Sequence, residues 1–328
     1  NFCGTGVPNL ASSWHGTNVA SVIAALMNNS TSNSNSLGGM VGVAPNTKIV
    51  PVRVTGPCGA ALSDIATAIR WAVGGSIKGV PVNGNPAKII NLSLATPSSI
   101  CTPSLANAIA FANARGAVVV VPSGNSKKLS GTTVNFTSPA NCVGAITVGS
   151  IKESGSRADY SNFGALVDVS APGEGIVAAS FNTLVSKPDT PISHDYVTTS
   201  GTSFAAAHVS GVLALMYAAQ PTLAPNMATT LLKLHVSPIP KMTSPNLTAA
   251  GVGLVDATAV VSAISGTKPF VVNNDLLGLN KSQIVWKGSS GGYYTSILNF
   301  ASSSSNYNGA NPDLLTLTEP ELSGINLS

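Results

Sequence analysis

The stretch AVVVVPSGN, residues 117–125, constrains the fold more than any other. Four consecutive valines leave no polar face, so a strand there must be covered on both sides. Other apolar, β-branched runs recur along the chain: KIVPVRV at 48–54, KIINLSL at 88–94 and VGAITVGSI at 143–151. Between and around them lie segments with helical spacing: HGTNVASVIAALM at 15–27, ALSDIATAIRWAV at 61–73 and SLANAIAFANARG at 104–116. Buried strands alternating with helices predict an α/β fold, a doubly wound and mostly parallel sheet with helices on both faces. Its sites should lie at the carboxyl ends of the strands. Leu92 to Ala95 and Asn125 end strands in this pattern.

With 328 residues and 44% hydrophobic content the chain can bury a large core. Charged residues make up only 9%, and the net charge of +4 is scattered. Neither nucleic acid nor an anionic membrane is therefore expected as a partner. No apolar run reads as a membrane span. Four cysteines point to an oxidising, exported setting. Beyond about Ile264 the chain turns rich in Ser, Gly and Asn without clear periodicity. The expected organisation is thus a domain over 1–264 and a C-terminal extension over 265–328.

SGTSFAAAHVSGVLALM, residues 200–216, places Ser203 at the start of a long apolar helix. Backbone N–H groups and the positive end of the helix dipole favour a developing negative charge there. A helix cap is the simpler reading of that serine alone. A nucleophile needs a base, and of the four histidines His15 opens a helix of its own, followed by Gly16, which permits close packing. His208 reads as a packed helix residue, and His194 and His235 as surface residues in irregular segments. Asn125, in a Ser-Gly-Asn turn, could donate to an oxyanion or simply bond its own backbone.

SSWHGTNVAS, VVVVPSGNS and SGTSFAAAHVSG, in that order, resemble the segments around the His, the oxyanion Asn and the Ser of the subtilisin-like serine proteases (peptidase S8). MVGVAPNTKIVPVRV, INLSLA, RADYSNFGALVDVSAPG and GVGLVDATAVV resemble the connecting segments. With GPCGA, the match is to the secreted bacterial branch. The resemblance implies a secreted endopeptidase acting through an acyl-enzyme, with Ser203 as nucleophile, His15 as base and Asn125 as oxyanion donor. It needs no catalytic cofactor, and its partners are protein or peptide substrates. Asn18 stands where the family usually has a second His, and Ala207 where it usually has Pro.

The same resemblance places an extended substrate along Gly56 and 93–95. Its side-chain pocket would be walled by Ser93, Leu94 and Ala95, by 121–124 with Ser123 and Gly124, and by the stretch around 138–141. No Asp or Glu occurs between Asn91 and Asn141, so a neutral or hydrophobic P1 residue is expected. It implies disulfides Cys3–Cys58 and Cys101–Cys142. No catalytic metal is expected. Structural calcium is possible, but the loop at 28–39, where the family often binds it, contains no carboxylate and promises weak binding at most.

One departure matters. The family's triad Asp precedes the His on an interior strand, whereas fourteen residues precede His15 here and none is acidic. The first carboxylate is Asp64. Two readings follow: a protease completed by an upstream Asp-bearing segment, with that segment or a propeptide as a possible partner, or an inactive, peptide-binding relative. FVVNNDLLG, with Asp275, is a remote third source of the acid.

Overall fold

The computed structural model describes residues 14–26, 40–56, 59–96, 99–127, 137–182, 193–239, 250–265, 270–272, 283–287 and 293–297. Its centre is a six-stranded sheet in the order β1 (Ile89–Asn91), β2 (Val118–Pro122), β3 (Ala145–Ile151), β4 (Val169–Pro172), β8 (Leu254–Val255) and β7 (Val236–Ser237). Every pairing is parallel except β7 with β8. Val120 sits beside Ile146 and Val148 beside Val169, so β-branched side chains stack in rows across the pleat.

The uninterrupted valines of β2 serve two cores. Val118 and Val120 pack with Val209, Leu213 and Met216 of α4 (Thr202–Ala219), Leu232 of α5 (Pro225–Leu234) and Val260 of α6 (Ala257–Ser265). Val119 and Val121 point the other way, onto Ile65 and Ile69 of α2 (Leu62–Ala72) and Leu105 and Ile109 of α3 (Pro103–Ala114). Helices on both faces of a mostly parallel sheet are the predicted α/β architecture. α1 (His15–Ala24) packs on the start of α4 through Val19, Val22, Phe204 and Ala207, beside Ala178 of β5 (Ile176–Asn182). β5 pairs antiparallel with β6 (Ser193–Thr199).

Asn18 and Ser21 tie α1 to β5. Asn18 Nδ2 donates to the Ala179 carbonyl (2.7 Å), and the Ala179 N–H donates to Ser21 Oγ (3.0 Å). The polar side of α1 thereby satisfies both main-chain groups of one strand residue.

Several expectations are corrected. The run at 48–54 forms no strand among the described residues, and Ile49, Val50 and Val52 are exposed. Strand propensity cannot make a ladder without a neighbour, and β1, with which it was expected to share a sheet, pairs only with β2 among the described strands. Gly16 is not a close-packing position, since a Cβ there would meet nothing within 4 Å. α4, unlike the sequence reading, is long and apolar enough to cross a membrane, but it is the central core helix and mostly buried. His194 lies in β6 rather than an irregular segment, and His235 ends α5 half-buried. The tail is not featureless either. β9 (Phe270–Val272), β10 (Gln283–Lys287) and β11 (Tyr293–Ile297) form an antiparallel sheet of their own. Phe270–Val272 is thus not a strand of the central sheet, and Asp275 lies outside the described residues.

Candidate active site

Ser203 is in the first turn of α4, with Gly201 at the N-cap position and no side-chain cap from that residue. The capping is done from another loop. Asn125 Oδ1 accepts the Thr202 N–H (2.9 Å) and the Thr202 hydroxyl (2.7 Å), satisfying one of the orphan donors of the helix start. The Gly124 N–H in turn donates to Thr202 Oγ1 (3.2 Å). An N–H can only donate, so the Asn125 atom facing it must be the oxygen. The amide nitrogen is therefore turned away from Thr202, towards the Gly201 side, where it lies 3.4 Å from the position a Gly201 Cβ would take. Asn125 itself is exposed, whereas Ser203 is 9% exposed.

His15 is the first residue of α1, directly after Trp14, whose φ of 54° is in the left-handed region. A bulky residue is strained there, and such strain clusters at functional sites. The His15 ring meets Phe204 edge-on, with centroids 5.8 Å apart. His15 Nε2–H donates to the Ser93 carbonyl (3.2 Å), and Ser203 Oγ lies 3.5 Å from the same oxygen. His15 and Ser203 thus converge on one acceptor just beyond β1.

That acceptor is held from α4. Ser93 Oγ donates to the Ser203 carbonyl (2.9 Å) and accepts from Asn91 Nδ2 (2.8 Å), and Ser210 Oγ donates to Asn91 Oδ1 (2.9 Å). To act as a base, Nε2 must carry a lone pair toward Ser203 rather than a proton toward Ser93. The ring must then hold its proton on Nδ1, the tautomer a carboxylate at Nδ1 favours. Asp64 does not suit that task. It is exposed on α2, which packs on α3, whereas α1 packs on α4 and β5.

The other expected site residues fall into two groups. Ser93 and Gly124 reach the start of α4 through hydrogen bonds. Leu94 is half-buried and Ala95 exposed, next to Thr96, whose N–H donates to the Ser138 carbonyl (2.8 Å), so 93–96 and the 138–141 stretch are neighbours. Ser123 is fully buried. Gly56 lies in a tight turn with Gly59. Cys101 and Cys142 are disulfide-bonded, tying the loop after β1 to the start of the 143–151 region. Cys3, Cys58 and the loop at 28–39 lie outside the described residues. Among the described residues no group of three His, Cys, Asp or Glu side chains is placed to hold a metal. His208 is a helix residue as expected: its Nδ1–H donates to the Phe204 carbonyl (2.8 Å), and burial pushes its pKa down.

Asn91, Thr202 and Ser210 escaped the sequence reading. Asn91 carried a faint signal, a polar residue inside an otherwise apolar strand. Thr202 and Ser210 carried none, because their partners are 77 and 119 residues away.

On an α/β sheet, a serine on a helix start and a histidine share one carbonyl neighbour, and an exposed Asn on an adjoining loop is bonded to the same helix start. The Subtilase family model (Peptidase S8) matches residues 3–261, and the chain belongs to that family. It is 45% identical over 264 residues to an extracellular protease of Xanthomonas campestris, covering 80% of this chain and 42% of that protein. It is 36% identical to an extracellular basic protease of Dichelobacter nodosus, covering 78% of this chain and 40% of that one. The chain thus spans about two fifths of the length of these relatives. A solved protease from Pseudoalteromonas arctica is similar at 42% identity and a TM-score of 0.68, over 77% of this chain and 72% of that one.

Proposed function

We propose that the chain is the serine endopeptidase part of an exported protein, with a catalytic domain over 1–264 and an extension from 265. Ser203 Oγ attacks the substrate carbonyl carbon, and its proton passes to His15 Nε2. Asn125 Nδ2 donates to the oxyanion. Collapse of the tetrahedral intermediate breaks the C–N bond, and His15 returns the proton to the leaving amine. Water then hydrolyses the acyl-enzyme by the same route in reverse.

The observation that carries this reading is the convergence of His15 and Ser203 on the Ser93 carbonyl, with Asn125 locked to the same helix start. The acid that orients His15 would be an Asp carboxylate at Nδ1, carried on a strand beside the sheet. The edge of β1, which pairs only with β2 among the described strands, and the exposed apolar side chains of Ile49, Val50 and Val52 support a place for it beside the sheet. The substrate lies as an added extended strand. The segments at 93–95, 121–124 and 138–141 have no carboxylate, which favours a neutral or hydrophobic P1.

A fluorophosphonate probe tests the assignment. It should label Ser203 in the full-length protein and not in Ser203→Ala. Absence of labelling in folded full-length protein would leave an inactive, peptide-binding relative as the reading.

A further inference from the structure

An oxyanion donor works only if it is already in place when charge develops, and a loop residue is a poor choice unless something else holds the loop. Besides Thr202, the loop around Asn125 is held by a short segment after β3. The Asn162 N–H donates to the Gly124 carbonyl (2.9 Å). Its side chain donates through Nδ2 to the Ser123 carbonyl (2.8 Å) and accepts through Oδ1 from the Ser126 N–H (3.1 Å). Its carbonyl accepts from Ser123 Oγ (3.1 Å). Two residues earlier, the Tyr160 carbonyl accepts the Lys127 N–H (2.8 Å).

Residues 123, 124, 126 and 127 are therefore all tied to the 160–162 segment, while the Asn125 side chain points the opposite way, to α4. Asn162 is 2% exposed, and both functional ends of its amide are used on the loop backbone. Gly124 is shaped by the same contact. Its φ is +104°, and a Cβ there would sit 2.5 Å from Asn162 Nδ2. Only glycine adopts this backbone conformation readily and leaves room for the Asn162 side-chain amide.

We propose that Asn162 is a positioning residue for the reaction: by clamping the backbone on both sides of Asn125 it fixes where the oxyanion-donating amide stands. This rests on the oxyanion reading of Asn125. Misplacing a catalytic group by about 1 Å costs on the order of 100-fold in rate. A side chain bonded to both flanks of Asn125 prevents such drift, whereas Thr202 fixes only the tip of the amide.

The test compares Asn162→Ala, Asn125→Ala and the double variant in the full-length enzyme, with active sites titrated and melting curves recorded. Asn162→Ala should lower kcat roughly 10- to 100-fold while KM changes less than about threefold. On the Asn125→Ala background it should lower kcat little further, because the donor it positions is gone. Asn162→Ser, a milder truncation, should fall between wild type and Asn162→Ala if the alanine variant does not fold. A lowered melting temperature with unchanged kcat per titrated site would overturn the proposal. So would a rate loss that adds in full to that of Asn125→Ala. If Asn125→Ala alone leaves kcat unchanged, the oxyanion reading itself fails and this inference falls with it.

Discussion

Replacing Asn125 by Ala and by Asp separates its hold on α4 from its proposed oxyanion role, because the two fall on different atoms of the amide. Oδ1 holds the start of α4 through the Thr202 N–H at 2.9 Å and hydroxyl at 2.7 Å. Nδ2 is the proposed donor to the oxyanion. Asn125→Ala removes both. Two hydrogen bonds at about 0.5–1.5 kcal/mol each predict a stability loss of about 1–3 kcal/mol. Loss of the equivalent side-chain donor in subtilisin, another member of the family, costs about 10²–10³ in kcat, and a similar fall is expected here. Asn125→Asp keeps an oxygen for Thr202 and puts negative charge at a helix N-terminus, so the melting temperature should stay at or above wild type near neutral pH. Its turnover should nevertheless fall at least as far as that of the alanine variant, since a carboxylate repels the oxyanion. The assay is peptide hydrolysis per titrated active site beside thermal melts of the three proteins. Retained turnover in Asn125→Asp, or rates that simply follow melting temperature, would refute the division of labour.

Three further outcomes are expected. Reducing Cys101–Cys142, which closes a span of 41 residues, should destabilise the domain by about 4 kcal/mol on the chain-entropy account, read from denaturant midpoints with and without the Cys101→Ser/Cys142→Ser changes. Sequencing of cut sites in a denatured protein digest should show a majority after neutral or hydrophobic residues, and a majority after Lys or Arg would overturn the pocket assignment. Burial lowers the His208 pKa, so below about pH 6.5 the unfolded chain binds a proton that the folded ring resists. Stability should therefore fall as pH drops from that point toward the folded pKa, with a slope of up to about 1.4 kcal/mol per pH unit that Asn or Gln at position 208 removes.

The α/β class was legible because burial writes itself into local pattern. The valines at 118–121 could only be a strand covered on both faces, and α1 to α4 follow helical spacing. The sequence singled out Ser203, His15 and Asn125 through short motifs, and the structure brings His15 and Ser203 to the Ser93 carbonyl and Asn125 to Thr202. Boundaries and partners were not legible. The run at 48–54 has every local mark of a strand but forms none among the described residues, because pairing is a property of the neighbour. Of the three strands in the tail only the apolar run at 270–272 carried a signal, because short strands separated by Ser- and Gly-rich sequence show little periodicity.

Residue order alone thus determined the layered fold class and the kinds of side chain available for chemistry, since both depend on apolar spacing and on functional groups that a sequence states outright. Only the tertiary structure decided how those groups are aimed. Which end of the Asn125 amide faces Thr202, why Ser93 anchors both His15 and Ser203, and how Asn162 clamps a loop 36 to 39 residues away are matters of hydrogen-bond direction between distant segments. Such bonds need angles and distances of a few tenths of an ångström, which no local pattern encodes.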